Sequence, residues 1–188
     1  MTAFGSSFVV VLLAEMGDKT QLIALALGLR YRRPWPVMAG ILAATLVNHA
    51  LASAVGMWGA ARVSETALAW VLGLGFIAFG VWTLVPDAAD TPAEGRRWGP
   101  LLTTAVVFFF AEMGDKTQLA TVALGARFAS TITVTIGTTA GMLVADGLAV
   151  FAGARFADRV PIKLFRRVAA ALFFGFGLVM IASALRLL

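Results

Sequence analysis

The sequence predicts an all-α, polytopic membrane protein whose six transmembrane helices form two inverted three-helix repeats. Three observations lead there. The 188-residue chain is 60% hydrophobic and 13% charged, with a mean hydropathy of +0.90, whereas a soluble domain is about 25% charged. Its apolar runs exceed the roughly 20 residues needed to cross a hydrocarbon core. The nine residues Ala14 to Leu22, A-E-M-G-D-K-T-Q-L, return unaltered from Ala111 to Leu119.

The first apolar run covers 4–29. It has no basic residue before Lys19 and no cleavage-type boundary, so it reads as a retained span and not as a signal peptide. Arg30-Tyr31-Arg32-Arg33-Pro34 ends it, and a second run follows over 35–59. Arg62 to Glu65 precedes a third, 67–86. The polar connection from Pro86 to Pro100 carries Asp87, Asp90, Glu94, Arg96 and Arg97. It divides the chain into a first repeat, 1–86, a cytoplasmic linker, 87–98, and a second repeat, 99–188. The second repeat supplies runs at 99–127, 131–155 and 166–187. From Ser6 to Gly80 an offset of 97 aligns the halves without a gap: Arg30 meets Arg127, Gly40 meets Gly137, and Gly80 meets Gly177. An odd number of spans per repeat makes the two first spans cross in opposite directions, a recurrent transporter architecture with its site between the repeats.

Basic residues set the orientation. The connections around 30–33, 86–100 and 155–167 hold ten: Arg30, Arg32, Arg33, Arg96, Arg97, Arg155, Arg159, Lys163, Arg166 and Arg167. The other side holds Arg62, Arg127 and Arg186. The richer side is expected to be cytoplasmic, in a cell (inner) membrane, with both termini outside. The net charge of +5 therefore reflects topology and not nucleic-acid binding. With no cysteine, disulfides, thiolate metal sites and cysteine nucleophiles are excluded.

The repeated motif places ionisable groups inside apolar spans, where each costs from ~2.5 to over ~10 kcal/mol. In a continuous helix Glu15, Asp18 and Gln21 share one face, as do Glu112, Asp115 and Gln118. Ser7 and Val11 lead to the first set, Thr104 and Phe108 to the second. Two facing stripes gather four carboxylates with amide and hydroxyl oxygens. Such hard ligands suit calcium, magnesium or manganese better than copper or zinc. Met16 and Met113 are either soft ligands or ordinary apolar residues. Gly17 and Gly114 either break the helix or let helices pack closely. Lys19 and Lys116 lie four residues after a glutamate, the spacing of an intrahelical ion pair; such a lysine would also compete with a bound cation. Thr20 and Thr117 bond back to the preceding turn or offer a ligand hydroxyl. Ligands must be deprotonated to hold a metal, so a cluster holding either a cation or protons is the minimum apparatus of an antiporter.

The second span of each half departs from the repeat. His49 stands where the other half has Asp146, and Asn48 where it has Ala145. Asp146 is a fifth carboxylate in an apolar span, and His49, the single histidine, is a candidate proton relay or a packing residue. Thr131, Thr133, Thr135, Thr138 and Thr139 read as packing and backbone-bonding residues.

The duplicated Glu-Met-Gly-Asp-Lys-Thr at 15–20 and 112–117 resembles the E-x-G-D-K-[TS] signature of the calcium/manganese:proton antiporter family, which includes Golgi cation transporters and bacterial manganese exporters. The resemblance covers the whole chain. It implies six helices in two inverted repeats and export of a divalent cation, manganese or calcium, in exchange for protons, with no resident cofactor. The family's acidic motif residues match Glu15, Asp18, Glu112 and Asp115. The chain looks most like the short bacterial exporters.

Two rivals remain open. Carboxylates in lipid would also bind the ammonium group of a cationic amino acid, making the chain its exporter. The Gly-Asp pairs at 17–18 and 114–115 faintly resemble an intramembrane aspartyl protease, but that chemistry leaves Glu15, Glu112 and both lysines without a role. An enzyme is not expected. Two repeats make a complete site in a monomer, and Gly73, Gly75, Gly80, Gly175 and Gly177 offer a surface for a homodimer or for packing within the chain.

Overall fold

Six expected spans become eight helices among the described residues, because two of the apolar runs break. The computed structural model describes residues 2–85, 98–152 and 162–186. Its helices are α1 (Ala3–Glu15), α2 (Lys19–Tyr31), α3 (Pro34–Ala60), α4 (Glu65–Thr83), α5 (Pro100–Glu112), α6 (Lys116–Phe128), α7 (Thr131–Ala152) and α8 (Ile162–Arg186). Each helix of the second set begins 97 residues after its counterpart. Most of the expected linker, and Arg155 and Arg159, lie outside the described residues.

Local chemistry fixes the starts. Thr2 Oγ1 accepts from the Gly5 N–H at 3.2 Å ahead of α1, and Ser64 Oγ from the Ala67 N–H at 3.2 Å ahead of α4, each satisfying an orphan donor of a first turn. Proline opens α3 and α5, where its missing N–H costs nothing. α3, α4, Thr131–Phe151 and Arg167–Arg186 are each long and apolar enough to cross a membrane.

The runs at 4–29 and 99–127, each read as one span with either a break or a close packing contact at its glycine, are not continuous helices. Each consists of two 13-residue helices, roughly 20 Å apiece at 1.5 Å per residue. The cause lies at Gly17 (φ 83°) and Gly114 (φ 76°). That left-handed backbone costs an L side chain roughly 1–2 kcal/mol and costs glycine almost nothing. Of the two roles expected for these glycines, the structure takes the break. One consequence is that Glu15 and Asp18, and Glu112 and Asp115, do not share a helical face.

The two sets of helices interlock. α1 and α2 lie along α7, and α5 and α6 along α3. A Cβ on Gly137 of α7 would stand 2.8 Å from the Phe4 carbonyl oxygen and 3.0 Å from Ser7 Cβ. A Cβ on Gly40 of α3 would stand 2.6 Å from both the Leu101 carbonyl oxygen and Thr104 Cβ. Further along, Gly141 packs on Phe8, and Gln21 Nε2 donates to the Ala145 carbonyl at 2.9 Å; residue numbers rise together, so α1–α2 runs parallel to α7. Likewise Asn48 Nδ2 donates to the Phe109 carbonyl at 3.0 Å and Gly125 packs on Ser53, so α5–α6 runs parallel to α3. α3 and α7 run in opposite directions: Thr131 Oγ1 donates to Met57 Sδ at 3.7 Å and Thr135 Oγ1 to the His49 carbonyl at 3.4 Å, with Ser53 Oγ meeting Thr135 Oγ1 at 2.8 Å between them.

α4 and α8 pack on each other through stacked Phe76 and Phe173, with Phe79 and Phe176 around them. Gly73 and Gly177 lie against each other there, and Gly80 against Phe174. Three of the five glycines considered for a homodimer are thus used within the chain. The core falls into two clusters, one joining α1, α4, α6, α7 and α8, the other α2, α3, α5 and α7. Both draw on helices from each half of the chain.

Candidate functional site

The site forms where the two breaks meet. After Glu15 the chain passes through Met16 and Gly17 in non-helical conformations, and Asp18 takes the N-cap position of α2. Asp115 does the same for α6. In each half the turn closes by a backbone bond, Asp18 N–H to the Glu15 carbonyl at 3.0 Å and Asp115 N–H to the Glu112 carbonyl at 3.2 Å. Neither aspartate caps its own helix with its side chain. Gln21 and Gln118 reach back instead: Gly17 N–H donates to Gln21 Oε1, and Gly114 N–H to Gln118 Oε1, both at 2.7 Å. This is a relative of the capping box, with the third-position glutamine taking the N–H of the residue just before the N-cap. The glutamines, expected as cation ligands, thus use their carbonyl oxygens to hold the break. Gln21→Leu and Gln118→Leu remove that acceptor and are each expected to cost about 1 kcal/mol, read as a lower thermal unfolding midpoint in detergent.

The lysines pair across the two halves of the chain. Lys116 Nζ lies 3.0 Å from Asp18 Oδ1, and Lys19 Nζ 3.4 Å from Asp115 Oδ1. Each pair joins one half of the chain to the other. The spacing from Glu15 to Lys19 and from Glu112 to Lys116 would favour an intrahelical pair only in an unbroken helix, and the glycine break removes it. The Lys116–Asp18 pair is almost wholly buried, whereas the Lys19 side chain is 26% exposed.

Glu15, Glu112 and Asp115 each present a carboxylate oxygen within 4.8 Å of the other two, and all three are buried. In each, the protein holds one oxygen. Thr20 Oγ1 donates to Glu15 Oε2 at 2.5 Å, Thr117 Oγ1 to Glu112 Oε2 at 3.1 Å, and Lys19 engages Asp115 Oδ1. The other oxygens, Glu15 Oε1, Glu112 Oε1 and Asp115 Oδ2, have no hydrogen-bond partner among the described residues. The threonine hydroxyls were expected on the backbone or on a cation; they orient the glutamates. Burying carboxylates without compensation is costly, so this geometry suits a bound cation or protons, and hard oxygens suit a calcium- or manganese-like ion. Asp18 stands outside this group among the described residues.

Asp146, fully buried on α7, lies within Coulombic range of Glu15 and Glu112, and both its oxygens lack a hydrogen-bond partner among the described residues. Five carboxylates against two lysines leave a formal charge of −3 when all are ionised. His49 is also fully buried, but among the described residues it has no carboxylate partner and neither ring nitrogen is hydrogen-bonded; the structure does not bring it to the acidic group. Met16 is buried with its sulfur 3.6 Å from Gln21 Nε2, while Met113 is half exposed. Asn48, read from sequence only as a departure from the repeat, ties α3 to α5 three residues before Glu112.

A profile for the family "Divalent cation/proton antiporter GDT1" matches residues 3–91 and 100–187. Among curated proteins, the chain is 45% identical over 174 residues to a Vibrio cholerae protein named "Putative manganese exporter", covering 92% of this chain and 87% of that one. It is 28% identical over 204 residues to "GDT1-like protein sll0615" of a Synechocystis species, covering 95% and 96%. It is 28% identical over 203 residues to "GDT1-like protein 3" of Arabidopsis thaliana, covering 93% and 68%. No solved structure matches the chain.

Proposed function

The chain belongs to the divalent cation/proton antiporter GDT1 family, and from that premise we propose that it exports Mn²⁺ from the cytosol in exchange for protons. The family is one of transporters and not of enzymes, and its substrate is a divalent cation. The protease rival is further disfavoured because Asp18 and Asp115, which would have to share a proton, are each engaged by a lysine. Manganese is preferred to calcium because a relative 45% identical carries the name of a manganese exporter.

The observation that carries the proposal is the buried group of Glu15, Glu112 and Asp115 with one unbonded oxygen each. A divalent ion accepted there offsets two of the three excess negative charges. The ion requires deprotonated ligands, so its entry expels protons, and its exit on the other side leaves carboxylates that protons refill. Asp146 is the proposed fifth group of this exchange.

The arrangement is proposed to be six spans in two inverted repeats. The parallel registers of α1–α2 with α7 and of α5–α6 with α3, with α3 and α7 opposed, support it. The arginine-rich connections are proposed to face the cytosol, with one chain sufficient for a site.

The test is transport in reconstituted vesicles with an imposed proton gradient, following Mn²⁺, Ca²⁺ and lysine. Gradient-driven Mn²⁺ uptake with proton counterflow is the expected result. Lysine flux without divalent-cation flux would replace the proposal with the amino-acid exporter.

A further inference from the structure

We infer that Lys116 and Lys19 are alternating locks: each holds the aspartate of the other half out of the cation group while the opposite aspartate occupies it. The inference rests on the proposed cation site and assigns the lysines a role within it.

The motif is symmetric in sequence, but its carboxylates are not symmetric in space. Glu15 and Glu112 both enter the buried group, while of the two aspartates only Asp115 joins them. Asp18 is chemically equivalent, and its nine-residue surroundings are identical. Yet it stays outside the group, against Lys116 at 3.0 Å in a pair that is almost wholly buried. The counterpart pair, Lys19 with Asp115, is longer at 3.4 Å, and its lysine is 26% exposed. The sequence of the motif does not select Asp115 over Asp18. The same chain therefore has a second arrangement of matching chemistry, in which Asp18 joins the glutamates and Lys19 closes on Asp115. Passing between the two keeps both glutamates on the ion, exchanges one aspartate for the other, and tightens one lysine pair as it loosens the other. A packed element with two discrete arrangements is the usual substance of a conformational switch. Because the two broken helices run in opposite directions, the two arrangements open towards opposite sides of the membrane. A lysine lost from one pair should then tilt the balance one way, and from the other pair the opposite way.

The chain has no cysteine, so a single introduced thiol reports without background. Ser7 on α1 and Thr104 on α5 are both fully buried and lie eight residues before Glu15 and Glu112, so modification of S7C or T104C reads opening towards its own side. In reconstituted vesicles, K116Q is expected to change the ratio of S7C to T104C modification by an impermeant thiol reagent about tenfold, as losing roughly 1.4 kcal/mol from one arrangement would. K19Q should change it in the opposite direction, and the double variant should return towards the parent. K116M and K19M, which keep the aliphatic stem, replace either glutamine variant that does not fold; K116R and K19R should leave the ratio unchanged. Shifts in the same direction for the two lysines, or no shift, would overturn the locks. Mn²⁺ should slow modification at both positions. If it does not while the opposite lysine shifts persist, the cation reading falls and the locks stand.

Discussion

Glu15→Gln and Glu112→Gln are each expected to lower Mn²⁺-driven proton flux by at least about 100-fold, beyond the 10–100-fold typical of losing a group that only orients a metal ligand. The substitution keeps the shape of the side chain and the acceptor that Thr20 or Thr117 uses. What it removes is a negative charge and a ligand oxygen. Removing a buried charge that lacks full compensation should leave the fold as stable as before or more so. Activity and stability should therefore move in different directions. Flux in vesicles and thermal unfolding of the same preparations check this together, and flux that survives both substitutions in one chain would dismiss the carboxylate group as the cation site.

Gly40→Ala and Gly137→Ala are expected to cost about 1–3 kcal/mol each through overpacking. The added carbon would fall 2.6 Å from the Leu101 carbonyl oxygen in one case and 2.8 Å from that of Phe4 in the other. These neighbours are helical backbone, so relief requires α5 to move off α3, or α1 off α7. Each pairing ends at a glutamate of the proposed site, so transport should fall with stability. Gly75→Ala and Gly175→Ala are the controls, because a Cβ at either meets nothing within 4 Å. Equal unfolding midpoints for all four variants would show that these helix contacts are looser than described.

Much of this was legible in the chain itself. The repeated nonapeptide and the offset of 97 anticipate the matched helix starts, and apolar length anticipates the four long helices. The acidic residues of the motif follow from the cost of charge in lipid. What the sequence left open was decided by backbone conformation at one residue type. Gly17 and Gly114 serve a break or a close contact equally well in a string of letters. Once they break, i,i+4 arithmetic across them fails, the lysines turn to the other half, and Gln21 and Gln118 become caps. The choice of Asp115 over Asp18 was beyond any reading of identical motifs. Asp146 reads from the sequence as a fifth carboxylate and His49 as a relay or a packing residue; packing separates them, because Asp146 on α7 lies within Coulombic range of both glutamates and α3 gives His49 no carboxylate partner among the described residues.

The interlocking of α1–α2 with α7, and of α5–α6 with α3, also constrains how the protein is made. The ribosome releases the first half long before its packing partners exist. Through that interval the Gly40 face of α3 lacks α5, the Gly17 break lacks Lys116, and Glu15 and Asp18 have no counterpart. A nascent first half therefore waits in the membrane with its costly carboxylates unmatched, and closure over contacts 61 to 133 residues apart is slow by nature. This interval is where quality-control proteases would find the chain most vulnerable, and a substitution that weakens the later half should show itself first as lost protein and only afterwards as lost transport.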